Sequence, residues 1–235
     1  MLVCGTAFDP RTTTAVELRG VGEITAESLL GLSQLANVRT LLVSDSTFSD
    51  AGWAALMEVV RGLPVSELDV SGCALGPRHA ADLADYVVSA GGSLTTLRCG
   101  SNPGMVGGLD FCGRLKTPDA HIEGFRRLCE ALKSSRVTEV DFSGCGLGPL
   151  GAGCVADYVR NAIAAINSLA LTECPIGFPI STSLKDGAVT GVTVKKGVFA
   201  AVDGRWGEVT QDPDSDKEVK LCWLDDGQLS NYTKV

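Results

Sequence analysis

The chain has 235 residues, of which 45% are apolar and 20% charged, enough for one large domain or two modest ones. Its formal net charge is −8, divided as −6 over residues 1–176 and −2 over 177–235, so neither part has the basic surface that nucleic-acid backbones require. No stretch approaches the roughly 20 consecutive apolar residues of a membrane span, and Met1-Leu2-Val3-Cys4 lacks the positive flank and long apolar core of a signal peptide.

From the amino terminus, six copies of one short pattern follow each other: TAVELRGV (14–21), VRTLLVSDS (38–46), VSELDVSGC (65–73), LTTLRCGSN (94–102), VTEVDFSGC (137–145) and INSLALTEC (166–174). With Val16, Leu41, Leu68, Leu97, Val140 and Leu169 as equivalent anchors, the intervals are 25, 27, 29, 43 and 29 residues. Apolar residues recur at the anchor, two positions after it and usually three before it, an alternation that predicts a short half-buried strand. Five positions after the anchor stand Ser46, Cys73, Asn102, Cys145 and Cys174, small side chains suited to a crowded turn.

Stretches of helical spacing follow the strands: Gly52-Trp53, Leu56 and Val59-Val60; then Leu83, Tyr86 and Val87; then Ile122, Phe125, Leu128 and Leu132. Thr117-Pro118-Asp119 predicts the entry of the third. Ala-Asp-Tyr-Val recurs at one phase in two copies, 84–87 and 156–159. The fourth interval is longer by about 14 residues, around 103–116 (PGMVGGLDFCGRLK), and Leu109-Asp110-Phe111 reads there as a buried segment of a loop that folds back or docks elsewhere.

Strand, turn and helix in units of 25 to 29 residues resemble the leucine-rich repeat of the ribonuclease-inhibitor type over roughly 12–177. The resemblance implies an α/β solenoid, with parallel strands on its concave face and helices on its convex face. That domain spans 1–177 in this reading, and 178–186 (FPISTSLKD) forms a linker or cap. From 187 to 235 short apolar runs alternate with turn signals such as Asp203-Gly204 and Asp225-Asp226-Gly227. The run from Val202 to Val209 and the run from Val219 to Trp223 resemble SH3-like barrels of the Tudor, KOW and Mind-bomb type, which implies a small all-β barrel.

Gly146-Leu147-Gly148-Pro149-Leu150-Gly151 has the form of a dinucleotide loop between a strand and a helix. Ala74-Leu75-Gly76-Pro77 repeats its Leu-Gly-Pro core with only one of the three glycines, so the expectation is a turn of the repeat and no cofactor. Asp212, Asp214 and Asp216 mimic a calcium loop, but Lys217 and Trp223 stand where that loop needs Gly and Glu. The two histidines, His79 and His121, fall in different copies, with His79 expected at the surface, and no metal is expected. The nine cysteines mostly have places in the repeat and read as reduced, structural thiols of an intracellular protein, cytoplasmic or nuclear.

What remains is the outward row of the strands. Leu42, Glu67, Asp69, Arg98, Glu139, Asp141 and Thr172 are the candidate contacts of a protein partner, an acidic set suited to a basic one. On this reading Asp69 is exposed and its removal costs within about 0.5 kcal/mol. Phe199, Trp206, Trp223 and Tyr232 form either the core of the barrel or an aromatic cage for a methylated side chain. The sequence thus points to a non-catalytic interaction scaffold that takes a protein partner on the concave repeat face with the carboxy-terminal barrel as a second contact, binding no nucleic acid and no membrane, and it sets no oligomeric state. A reader of modified peptides and a nucleotide-dependent enzyme are the alternatives.

Overall fold

The computed structural model describes residues 2–90, 92–176, 178–179, 199–202, 205–211, 213–223, 228–231 and 233–234. A short hairpin, β1 (Leu2–Val3) and β2 (Thr6–Ala7), precedes β3 (Ala15–Glu17) and β4 (Glu23–Ile24). Two 3-10 turns, Glu27–Leu29 and Leu32–Gln34, lead to β5 (Thr40–Leu42) and β6 (Thr47–Phe48). Then come α1 (Asp50–Arg61), β7 (Glu67–Asp69), α2 (Pro77–Ser89) and β8 (Thr96–Arg98). The long fourth interval holds a 3-10 turn at Pro103–Met105, β9 (Gly108–Leu109), β10 (Leu115–Thr117) and α3 (Ile122–Lys133). After β11 (Glu139–Asp141), α4 (Pro149–Asn161) and β12 (Ser168–Ala170) the described strands are β13 (Phe178–Pro179), β14 (Phe199–Val202), β15 (Arg205–Val209), β16 (Glu218–Val219), β17 (Leu221–Trp223) and β18 (Thr233–Lys234).

The architecture corrects the fold class read from the repeat, an α/β solenoid followed by a small all-β barrel. Its centre is one open, six-stranded parallel sheet in the order β12-β11-β8-β7-β5-β3, covered by helices and accompanied by small separate sheets, an α/β arrangement. The units are unequal: the interval between β3 and β5 builds β4 and two 3-10 turns in place of an α-helix, and the one between β8 and β11 carries an antiparallel hairpin. Beyond β12, β13 runs parallel to β14, so the sheet β13-β14-β15-β17 is mixed, and β16 pairs apart from it with β18. Among the described residues these strands form two sheets and no closed barrel. The segment 180–198, with the first predicted strand of that region, lies outside the described residues.

Alternation set the register of the central sheet. Val16, Leu41, Leu68, Leu97, Val140 and Leu169 are Cα partners from strand to strand. A one-residue slip would turn every anchor to the opposite face, so burial of the anchors fixes the pairing. One turn geometry ends each strand: Gly20, Asp45, Gly72, Ser101, Gly144 and Glu173, all four residues after an anchor, have φ between 55° and 65°. After the last five of these turns the next residue donates its side chain back to the preceding strand. Ser46 Oγ reaches Leu18 O at 3.3 Å, Cys73 Sγ Val43 O at 3.0 Å, Asn102 Nδ2 Val70 O at 3.1 Å, Cys145 Sγ Cys99 O at 3.0 Å and Cys174 Sγ Phe142 O at 3.3 Å. A small donor is therefore needed there, and thiol, hydroxyl and amide all serve. Burial pushes the Cys73 thiol up to about 11, consistent with an inert structural group.

The helices pack in chain order, α1 on α2, α2 on α3 and α3 on α4. Helix α1 starts at Ser49, whose Oγ accepts from Gly52 N at 3.0 Å, and turns Trp53, Leu56, Met57 and Val60 inward. Phe125 of α3 meets Phe142 edge-on, with ring centroids 4.9 Å apart. Helix α3 begins at Ile122, later than its predicted entry, because Thr117 ends β10 and Asp119 turns back with φ 59°. No helix among the described residues is long and apolar enough to cross a membrane.

At the start of α2, His79 is half-buried rather than exposed, edge-on to Trp53 with centroids 4.7 Å apart. Gly76 N donates to its Nδ1 at 2.8 Å, which requires the neutral ring. Burial holds the imidazole below its ordinary 6.5. The unfolded chain then takes up the proton first, so this contribution to stability is present above the unfolded value and declines as pH falls below it. Urea unfolding at about pH 7.5 and about pH 5.5 should show a larger acid loss for wild type than for His79→Gln. Equal losses would mean that His79 does not couple folding to pH.

The recurring Ala-Asp-Tyr-Val places Tyr86 on α2 and Tyr158 on α4, both buried, and neither hydroxyl has a hydrogen-bond partner among the described residues. Burial raises both phenols to about 12. The rings fill the core while the hydroxyls give nothing back for their lost hydration. Tyr86→Phe and Tyr158→Phe should therefore leave stability unchanged or raise it by up to about 1 kcal/mol. A fall in Tm for either would reveal a partner, such as a buried water.

Candidate functional site

The sheet register places the candidate contacts in two adjacent rows. Glu67, Thr96 and Glu139 form one, and Asp69, Arg98 and Asp141 the other. Arg98 lies between the acidic residues, hydrogen-bonded to Glu67 and 3.6 Å from Glu139 Oε2. The Glu67 hydrogen bond raises its pKa above the ordinary arginine value, so the guanidinium stays charged. Four carboxylates and one guanidinium leave these five side chains at −3.

Asp69 and Asp141 are anchored differently. Asp69 Oδ1 accepts from Ser71 N at 2.9 Å, and Asp141 Oδ1 accepts from Ser143 N at 2.8 Å. Each carboxylate thus fastens the turn after its own strand. Asp69 is only 7% exposed, which corrects its placing on an open row, and Leu42 is buried as well. Glu67, Arg98, Glu139 and Asp141 remain half-exposed, and Thr172 is exposed. The surface available to a partner is therefore narrower than the sequence row, centred on Glu67, Arg98 and Glu139.

The glycine-rich loop is filled from within the chain. Asp119 Oδ1 accepts from Gly148 N at 2.8 Å and Gly151 N at 3.0 Å, and its Oδ2 accepts from Leu150 N at 2.8 Å. These amides open α4, where a phosphate would sit in a nucleotide site, so a side-chain carboxylate satisfies the anion-binding end of the helix. The glycines answer to packing. A Cβ at Gly146 would come 2.5 Å from Pro103 O, and one at Gly148 would come 2.6 Å from Asp119 Oδ2. The long fourth interval leans on this turn, with His121 N donating to Val106 O and Val106 N donating to Cys145 O.

That interval is a braced projection. Met105 and Val106 at its root are fully buried, while Phe111 at its tip is 100% exposed, correcting the expectation of a buried Leu109-Asp110-Phe111. Asp110 Oδ1 accepts from Cys112 N at 2.8 Å and Arg114 N at 2.9 Å, and Gly113 N donates to Asp110 O. The backbone of the tip is thus closed on Asp110, and it carries an aromatic ring with no cover. Sequence reasoning missed this because Leu-Asp-Phe between glycines has the pattern of a buried segment. The signal was Asp-x-x-Gly, a turn that closes on its own carboxylate and throws the residue after the Asp outward.

In the carboxy-terminal region Trp223 is half-buried against Val209, Val219 and Leu221, a core position. The register sets Trp223 opposite Gly207 and Trp206 opposite Ala201, and Phe199 opposite Glu208. Tyr232 and Asp212 lie outside the described residues. Asp214 Oδ1 accepts from Asp216 N and Glu218 N, closing a hairpin turn in the acidic segment. Among the described residues no three His, Cys, Asp or Glu side chains are grouped to hold a metal ion.

No protein-family model matches the chain, and none of the curated proteins compared with it is a significant match. What the geometry defines is an α/β protein with an ion-paired polar sheet face and a hydrogen-bonded hairpin that projects an aromatic ring.

Proposed function

We propose that this protein is a non-catalytic interaction platform that takes a protein partner on its polar sheet face, with the hairpin tip as an apolar anchor. The observation that carries this reading is Phe111, wholly exposed on a turn closed by its own hydrogen bonds. An aromatic ring carried on a turn whose backbone is already hydrogen-bonded is the kind of group that can anchor an interface. Glu67 and Glu139 flanking Arg98 add a half-exposed acidic surface that favours a basic rim on the partner. Internal capping of the glycine-rich turn by Asp119 argues against nucleotide chemistry there.

Affinity capture with the full chain, compared by quantitative mass spectrometry with Phe111→Ser and with Glu67→Lys plus Glu139→Lys, tests the reading. Specific partners should be depleted at least tenfold by Phe111→Ser, equivalent to about 1.4 kcal/mol, and depleted in a salt-dependent way by the charge reversal. Asp69 is unsuited to this test because its replacement disturbs the backbone. Partners retained equally by both variants would refute the assignment.

A further inference from the structure

Helices α3 and α4 lie side by side and run the same way. Asp119, just before α3, caps the first amides of α4, and just past the other end of α4 Ile163 N donates to Lys133 O at the end of α3 at 3.0 Å. Between these ends Lys133 is ion-paired with Asp157 across the two helices. One turn back from that pair stand Cys129 on α3 and Cys154 on α4. The shared register therefore sets these two thiols against each other.

They differ from the cysteines of the sheet and its turns. Cys73, Cys99, Cys145 and Cys174 donate their thiols to strand carbonyls, whereas among the described residues no hydrogen bond holds the thiol of Cys129 or Cys154. Both line a cleft of about 260 Å³ between the helices, with Arg126, Glu130, Leu150 and Asp157 around it. A Cβ at Gly153 would meet nothing within 4 Å, so the α4 wall of the cleft is bare beside Cys154. Cys154 is half-buried, and Cys129 is only 2% exposed.

We propose that Cys129 and Cys154 are a modification site, a thiol pair that a small hydroperoxide oxidises to a disulfide joining α3 to α4. Cys154 reacts first, being the more open of the two to the cleft. Its thiolate attacks one peroxide oxygen, the S–O bond forms as the O–O bond breaks, and the departing oxygen takes a proton and leaves as water or an alcohol. Cys129 then attacks the sulfur of the resulting sulfenic acid, so that the S–S bond forms and the hydroxyl leaves as water. Two thiols give up two electrons and two protons, and the peroxide takes them. Burial holds both thiols above the ordinary cysteine value, so the reaction gains speed as pH rises and more thiolate is present.

The full chain treated with hydrogen peroxide, quenched with an alkylating agent and mapped by mass spectrometry without reduction tests this. The 129–154 link should form roughly tenfold faster than any other pairing of the nine cysteines. Its yield should track a rise in Tm of about 5–10 °C, reversed by dithiothreitol, because the bond closes the chain between 129 and 154. In Cys129→Ala the sulfenic acid should persist at Cys154 and be trapped by a 1,3-diketone, while Cys154→Ser should leave Cys129 unmodified. Both variants should keep the wild-type circular dichroism before treatment. Exposed Cys112 is the internal control for a thiol open to solvent. Cys129 and Cys154 still reduced once Cys112 is fully oxidised would overturn the proposal. So would a 129–154 link that forms only in urea, or one that lowers Tm, since either would mean that the folded helices do not hold the two sulfurs within bonding reach.

Discussion

Leu97→Ala should lower the free energy of unfolding by about 2–5 kcal/mol, because it empties a side chain enclosed between two rungs. Leu97 is fully buried, in register with Leu68 on one side and Val140 on the other. Leu169→Ala removes the same atoms from the last rung, where the leucine is half-buried and has one strand neighbour among the described residues, so its cost should stay near 1–2 kcal/mol. Asp69→Ala belongs between them and the surface. It loses the hydrogen bond from Ser71 N at a nearly buried site, which should cost about 1 kcal/mol rather than the few tenths expected of an exposed residue. Urea unfolding of the three variants at one pH decides the order. Equal losses for Leu97→Ala and Leu169→Ala in the monomeric protein would mean that the last rung is sealed.

Much of the central sheet was legible because the pattern is written six times. Alternation named the six anchors and hence their register, and helical spacing placed three of the four helices. The fold class was not legible, since a repeat in sequence fixes what a unit wants to bury but not how much structure each interval builds. The first interval has leucines of helical spacing yet closes in two 3-10 turns, while the fourth spends its extra length on a hairpin. Backbone geometry was hidden for a different reason. Six residues share a left-handed turn, but only Gly20, Gly72 and Gly144 advertise it, and Asp45, Ser101 and Glu173 adopt the same φ because the strands on either side impose it.

The candidate site was legible by row and misread by environment. Spacing put Asp69 and Asp141 on the polar face, but it could not show that each reaches two residues ahead to cap a turn. The charge pattern did show Arg98 lying among acidic residues, and the structure turns that pattern into an ion-paired group. Phe111 went the other way, since an apolar residue in a loop is judged by composition until the loop's own hydrogen bonds are seen. A sequence reports which side chains are available to a surface, and backbone capping decides which of them stay free.

Asp119→Ala should be among the most damaging changes of a charged side chain, costing about 2–4 kcal/mol in urea unfolding. Three amides at the start of α4, those of Gly148, Leu150 and Gly151, lose their common acceptor at once. An ordinary cap satisfies one or two such donors, and removing it costs roughly 0.5–2 kcal/mol. The carboxylate also opposes the positive end of the helix, adding an electrostatic part. Alanine must further hold φ near 59°, which asparagine and glycine tolerate better. Asp119→Asn keeps one acceptor oxygen and should recover about half of the loss, whereas Asp119→Gly relieves the backbone alone and should stay close to alanine. That order separates capping from strain. If Asp119→Gly proved as stable as wild type, backbone conformation would account for the residue, and the amides of the glycine-rich turn would have to be satisfied by water.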